Sequence, residues 1–123
     1  MITEVKHIGI TPLHPKEDFL KKVENFFEGV KKALIIRLDE AFYTQDLLEE
    51  IENSSKKSNS IVIYNSRNDI SSKKNIHLTS NDLMNFTEKR ECNFLLGASC
   101  HNQSEVEKAN QLKCDYILIS PVL

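Results

Sequence analysis

The sequence predicts an α/β chain of the (β/α) TIM-barrel type: about six parallel strands of a partial barrel, with the last βα units missing. Three observations carry this. Short apolar, β-rich segments alternate along the chain with segments of helical period. Strands that read as unbroken apolar runs, each separated by a helix, mark parallel βαβ units. Their crossovers are right-handed, which leaves an open doubly wound sheet or a barrel. The first strand-to-helix turn, residues 11–16 (TPLHPK), carries no glycine fingerprint, which disfavours a dinucleotide-binding sheet. A full eight-stranded barrel takes about 200 residues or more, and this chain has 123.

Residues 5–11 (VKHIGIT) form the first strand, and Pro12 and Pro15 punctuate the turn after it. Residues 16–31 place Phe19, Leu20, Val23, Phe26, Phe27 and Val30 at spacings of three and four, which is a helix. Residues 33–38 (ALIIRL) form a buried strand. Residues 44–51 are helical, with Leu47, Leu48 and Ile51 on one face. The polar stretch 52–60 (ENSSKKSNS) reads as a helix end and a loop. Strands come next at 60–65 (SIVIYN) and 75–78 (NIHL), then a helical turn at 81–86. Residues 93–98 (NFLLGA) form a strand, 104–112 a helix, and 115–120 (DYILIS) the last strand. No internal repeat is present.

Composition narrows the function classes. Sixteen Lys and Arg against 18 Asp and Glu give a net charge of −2, so there is no nucleic-acid footprint. An apolar share of 40% with 28% charged residues fits an ordinary soluble domain. No run approaches the roughly 20 apolar residues of a membrane helix. Glu4, Lys6 and His7 stand where a secretory leader needs an apolar core, so a cytoplasmic protein is expected. Cys92, Cys100 and Cys114 form no CxxC pair, which argues for free thiols rather than zinc or a disulfide framework. Only three of 123 residues are glycine, against about 7% on average.

The last third of the chain carries a resemblance. In residues 94–123 (FLLGASCHNQSEVEKANQLKCDYILISPVL), a strand leads into G-x-S-x-H, a helix and a D-Y-x-x-x-x-P-V strand. Gly97, Ser99, His101, Asp115, Tyr116, Pro121 and Val122 occupy those places. This resembles the thiamine phosphate synthase and thiazole tautomerase (TenI) superfamily. The SCHN form, with Cys100 and Asn102, and the NIHLTSNDLM segment at 75–84 look most like the synthase-like domain fused to some bacterial Nudix hydrolases. Ile10 to Pro12 (ITP) and Ile36 and Arg37 fit the first two strands.

The resemblance implies thiamin biosynthesis: coupling of a pyrimidine diphosphate to a thiazole phosphate, with Mg²⁺ screening the diphosphate. The expected partners are phosphorylated thiazole and pyrimidine molecules. The family's second strand ends Q-x-R-x-K. Here Arg37 matches, but Ile35 and Asp39 replace the Gln and Lys. The third strand ends N-D-R-x-D. Asn65, Arg67 and Asp69 match, but Ser66 stands in place of a metal carboxylate. Asp82 is the counterpart of the second metal carboxylate. The family's glycine-rich phosphate loops lie after its last two strands, and their absence accounts for the glycine deficit. Impaired or no synthase turnover is therefore expected. A tautomerase using His101, or a non-catalytic ligand-binding or regulatory module, are the alternatives.

Each candidate residue also has a plain structural reading. His101 comes after a strand end, where barrel sites lie, and is a proton-transfer residue by resemblance; otherwise it is a locally bonded loop or cap residue. Ser99 either meets a phosphate or caps the following helix. Cys100 lacks an activating base and reads as a structural thiol. His77 reads as a satisfied core or barrel-lining histidine rather than a ligand. Arg37 and Arg67 either receive phosphate or pair with Asp39 and Asp69. Asp82 either binds metal or caps the helix near residues 81–83. The scattered Lys pairs read as solvated faces. Two exposed parallel edges predict a homo-oligomer or an altered closure.

Overall fold

A computed structural model describes residues 5, 7–69, 74–87 and 93–119. The strands are β1 (Ile8–Ile10), β2 (Ala33–Ile36), β3 (Ile61–Asn65), β4 (Ile76–Leu78), β5 (Leu96–Cys100) and β6 (Tyr116–Ile119). The helices are α1 (Phe19–Phe27), α2 (Gln45–Lys56), α3 (Ser80–Asn85) and α4 (Gln103–Gln111). A short 3-10 turn at Glu40–Phe42 precedes α2. The strands lie in the order β1-β2-β3-β4-β5-β6, and the β1–β2, β3–β4, β4–β5 and β5–β6 pairs are all parallel. Sequential order without a switch point is that of a (β/α) barrel wall, not of a doubly wound sheet. The fold is therefore α/β with partial-barrel topology, as expected. No helix among the described residues is long and apolar enough to cross a membrane.

Two compact units divide the chain between Val62 and Ile63, inside β3. In the first unit, β2 is buried at all four positions (Ala33, Leu34, Ile35 and Ile36). Such a strand must be apolar throughout, because helix and sheet cover both of its faces. In α1, Phe19, Val23 and Phe27 recur every four residues and are the buried stripe. The helix stops earlier than the periodicity suggests: Glu28 turns extended and Gly29 adopts φ +87°, a conformation open to glycine. Thr44 caps α2 by accepting a hydrogen bond from the Leu47 N–H.

The helix α2 runs to Lys56, five residues beyond the apolar pattern. The polar stretch is a helix end and a loop, as expected, with the helix reaching Lys56. There Ser54 and Ser55 are buried, and the Ser55 hydroxyl donates to the Glu52 carbonyl at 2.7 Å. Small serines fit at buried positions once the hydroxyl is satisfied by its own helix. Asn59, at φ +55°, then closes α2, with the Ser60 N–H reaching the Ser55 carbonyl at 2.9 Å.

In the second unit, β4 is fully buried and β5 nearly so. The strand β5 begins three residues later than its apolar pattern and extends to Cys100. The side chain of Asn75 accepts from the Leu95 N–H at 2.8 Å, and Asp115 Oδ2 accepts from the Leu96 N–H at 2.8 Å. The ladder starts only after these two side-chain anchors. Its far end is drawn out by the pairing of Cys100 with Ile119. Asp115, part of the D-Y motif, thus aligns β5. Cys92, Pro121 and Val122 lie outside the described residues, as does Ser120 at the end of the predicted last strand. Cys100 is buried, Cys114 is half-buried, and both are free thiols.

Candidate functional site

In a parallel sheet, paired residues share a face. The registers Asn65↔His77, His77↔Gly97 and Gly97↔Tyr116 therefore set one row across β3, β4, β5 and β6. Three members of that row are polar, and the fourth is a glycine. The glycine is required by the others. A Cβ at position 97 would overlap the Tyr116 ring at Cζ and Cε1 and lie 2.5 Å from its hydroxyl oxygen. The space above Gly97 is filled by Tyr116 leaning toward His77, with ring centroids 5.6 Å apart and planes 21° from parallel.

The Tyr116 hydroxyl lies 2.9 Å from His77 Nδ1, and Ser99 Oγ lies 2.7 Å from His77 Nε2. The imidazole is only 2% exposed and both its nitrogens are satisfied. Burial pulls its pKa down to about 4, so it is neutral at pH 7. Burial pushes the Tyr116 phenol well above its ordinary value, with the Cys114 and Asp115 charges adding to the effect. Ser99 does not cap α4; Asn102 does, accepting from the Glu105 N–H at 2.9 Å. The Ser99 hydroxyl instead ends the Tyr116–His77–Ser99 chain, half-buried near the carboxyl end of β5.

His101, at the next turn, is the most exposed of the candidates around β5. Its backbone N–H donates to Glu105 Oε1 at 2.6 Å, and the same oxygen lies 3.4 Å from its Nδ1. With Asn102 this makes a reciprocal cap at the start of α4. His101 is thus bonded locally to Glu105, and its Nε2 has no partner among the described residues. Burial, and next the Glu105 charge, raise the Cys100 thiol pKa, and burial pushes that of Cys114 to about 11. Neither is a poised thiolate.

Two candidates lie just past β3 and β4. The Ser66 hydroxyl donates to Asp82 Oδ2 at 2.6 Å and accepts from the Thr79 N–H at 2.9 Å. Asp82 is not the cap of α3; Thr79 is, accepting from the Asp82 N–H at 3.1 Å. Asn65 is buried, and its side-chain oxygen accepts from the Arg67 N–H at 2.9 Å. That bond forms the turn which sends the Arg67 side chain outward, where it is exposed. Arg67 does not pair with Asp69, whose carboxylate is held by Lys74 at 2.7 Å.

The first unit supplies Arg37. Thr11 is buried, and its hydroxyl accepts from the Arg37 N–H and donates to the Arg37 carbonyl, both at 2.8 Å. The threonine of the ITP segment thus fixes the backbone that presents Arg37. The Arg37 side chain makes no ion pair among the described residues. Asp39 accepts from the Ala41 N–H at 3.2 Å and meets His14 Nε2 at 3.2 Å. A cavity of about 370 Å³ opens beside β1, lined by Gly9, Ile10, Phe19 and Phe26 among others, and Arg37 does not line it.

The metal expected from the resemblance meets a poor donor set. One of the two carboxylates is a hydroxyl here, and that hydroxyl is committed to Asp82 and Thr79. Among the described residues no group of three or more His, Cys, Asp or Glu side chains gathers to hold an ion. Of the two carboxylates in the family pattern the described residues keep Asp82, whose Oδ2 is engaged by Ser66.

The profile of the thiamine monophosphate synthase family matches residues 8–123. The chain belongs to that family. A thiamine-phosphate synthase of Prochlorococcus marinus subsp. pastoris is 33% identical over 115 residues, 88% of this chain. The match covers 33% of the relative, so the chain spans about a third of its length. Membership accounts for the G-x-S-x-H and D-Y segments together: the first supplies Gly97 and Ser99, the second Asp115 and Tyr116. Sequence reasoning missed that Tyr116 and His77 act on Ser99. A lone glycine inside an apolar strand was the available signal, since it marks a close approach.

Proposed function

We propose that this chain is a thiamin-biosynthesis-related protein that binds a phosphorylated thiazole or pyrimidine ligand, with synthase turnover weak or absent. One observation carries the reading: the Ser66–Asp82 hydrogen bond of 2.6 Å stands where the family pattern has two metal carboxylates. A single carboxylate, already bonded, gives little help in screening a departing diphosphate. Anion-binding groups are retained nearby in sequence. Arg67 is exposed and unpaired among the described residues, and Ser99 offers a hydroxyl. Guanidinium and hydroxyl groups at strand ends suit phosphate oxygens. Arg37 is assigned the same role on its own unit.

A second reading has an observation of its own. Glu105 Oε1 beside His101 Nδ1 orients an imidazole whose Nε2 is without a partner among the described residues, which suits proton transfer in a tautomerase. The test is a thermal-shift titration with thiamin phosphate, thiazole phosphate and pyrophosphate, with and without Mg²⁺, followed by turnover assays. Stabilisation by a phosphorylated ligand without coupling activity is expected. Absence of any shift from a folded chain overturns the binding reading. Full Mg²⁺-dependent synthase turnover overturns the claim of impairment. Metal-independent isomerisation lost in His101→Ala replaces the first reading with the second.

A further inference from the structure

We infer that Tyr116 and His77 are positioning residues that fix the Ser99 hydroxyl as a hydrogen-bond donor, so that the carboxyl end of β5 selects an oxyanion. The inference rests on the phosphate-binding reading above and specifies how Ser99 takes part in it.

Direction along a short hydrogen-bonded chain decides the matter. Neutral imidazole has one N–H and one lone-pair nitrogen. The Tyr116 hydroxyl has a single partner among the described residues, His77 Nδ1 at 2.9 Å. It lies against β5 above Gly97, where a Cβ would come within 2.5 Å of it. If Nδ1 carried the proton, Nδ1–H would donate to the tyrosine oxygen, and the O–H of this half-buried tyrosine would have no acceptor among the described residues. An unmade donor in such a place is costly. The arrangement that satisfies every group has Tyr116 O–H donating to Nδ1. The ring proton then sits on Nε2 and donates to Ser99 Oγ across 2.7 Å. The Ser99 O–H cannot point back at Nε2–H, so it points elsewhere. Ser99 is half-buried near the end of its strand, so its proton is available to an acceptor there.

The neutral state of the ring, which burial enforces, keeps this direction fixed at pH 7. A protonated ring would donate to both neighbours and strand the tyrosine O–H. A rotating serine hydroxyl offers a donor or an acceptor to any ligand; one backed by Nε2–H offers a donor first. A phosphate or diphosphate oxygen, which only accepts, matches it. A ligand presenting an N–H or an ammonium group does not.

Long-range ¹H–¹⁵N correlation NMR on the chain labelled at histidine reads the tautomer directly. The expected result at pH 7 is His77 with Nε2 protonated. Calorimetric titration with inorganic pyrophosphate is run on wild type, Tyr116→Phe and Ser99→Ala. Tyr116→Phe keeps the ring over Gly97 and removes only the hydroxyl. It is expected to give a mixed His77 tautomer and about 3- to 10-fold weaker pyrophosphate binding, with Ser99→Ala at least as weak. A wild-type ring protonated on Nδ1 overturns the inference, whatever binds. So does Tyr116→Phe with unchanged tautomer and unchanged affinity. Absence of pyrophosphate binding by the wild type, with Nε2 protonated, instead refutes the phosphate-binding reading.

Discussion

Replacing Gly97 by alanine tests the row across the second unit with one methyl group. The added Cβ would overlap the Tyr116 ring and lie 2.5 Å from its oxygen, where ordinary contact begins at about 3.4 Å. The ring must therefore move by roughly 1 Å or more, against the dense packing of a core. Overpacking of this kind costs about 1–3 kcal/mol. The displacement also carries the hydroxyl away from His77 Nδ1, now at 2.9 Å. An unsatisfied buried group adds about 1–3 kcal/mol. The sum is about 2–6 kcal/mol, a large part of the stability of a domain this size.

Urea unfolding followed by circular dichroism measures it, with the same substitution repeated in a Tyr116→Ala background. There the ring is gone, and Gly97→Ala should cost under about 1 kcal/mol or stabilise slightly, since alanine loses less backbone entropy than glycine. The coupling between the two sites is then about 1 kcal/mol or more. A Gly97→Ala loss below about 0.5 kcal/mol in the wild-type background, or equal losses in both, would refute the reasoning.

Three further outcomes are expected. The pKa of His77 is about 4 when folded against 6.5 when unfolded, so the unfolded chain binds the proton first as pH falls; the stability present above pH 6.5 is lost toward pH 4. The loss is about 3 kcal/mol in total, seen as a falling urea midpoint that His77→Gln flattens. Ser66→Asp places a carboxylate where a hydroxyl now donates to Asp82. It should destabilise by about 1–3 kcal/mol without metal and recover with Mg²⁺, whereas wild type gains nothing from Mg²⁺ in a thermal-shift assay. Equal Mg²⁺ stabilisation of both would contradict the donor-set argument. Lys113 ends α4 at φ +58° and is exposed. Lys113→Gly removes a left-handed penalty and should raise stability by about 0.5–1 kcal/mol in urea melts.

Strands were readable where burial on both faces demands continuous apolar residues, as at Ala33–Ile36. Helices were readable by period, but their ends were not. The last turns of α2 are polar because small serines carry the buried positions, and composition marks a helix end there without saying where the loop begins. The β5 shift came from Asn75 and Asp115, side chains that replace backbone partners before the ladder begins. For the candidate site, residue identities were legible and partnerships were not. Arg37 and Arg67 were offered Asp39 and Asp69 as neighbours by sequence spacing. The fold gives those carboxylates to His14 and Lys74 instead. Register decides such pairings, and register depends on how strands lie side by side, which no local pattern states. The His77–Ser99 contact joins residues 22 apart, and the His77–Tyr116 contact joins residues 39 apart.

Two departures from the family pattern are each absorbed locally. Asp39 serves the 3-10 turn through the Ala41 N–H and meets His14. Ser66 ties the end of β3 to the start of α3 through Thr79 and Asp82. Neither side chain is idle, so neither is a simple gap in an otherwise intact diphosphate site. The retained groups behave differently. Arg67 is presented by a turn that Asn65 builds, and Arg37 by a backbone that Thr11 clamps at both N–H and carbonyl. Ser99 meets the buried His77, which in turn meets the half-buried Tyr116. A buried polar chain is favourable only when every member is satisfied, and an apolar row would fill the same space without that demand. Within the second unit, an outward Arg67 and a Ser99 hydroxyl, with Asp82 turned to structural use, suit the holding of an oxyanion. They make less sense for assembling a metal to expel one.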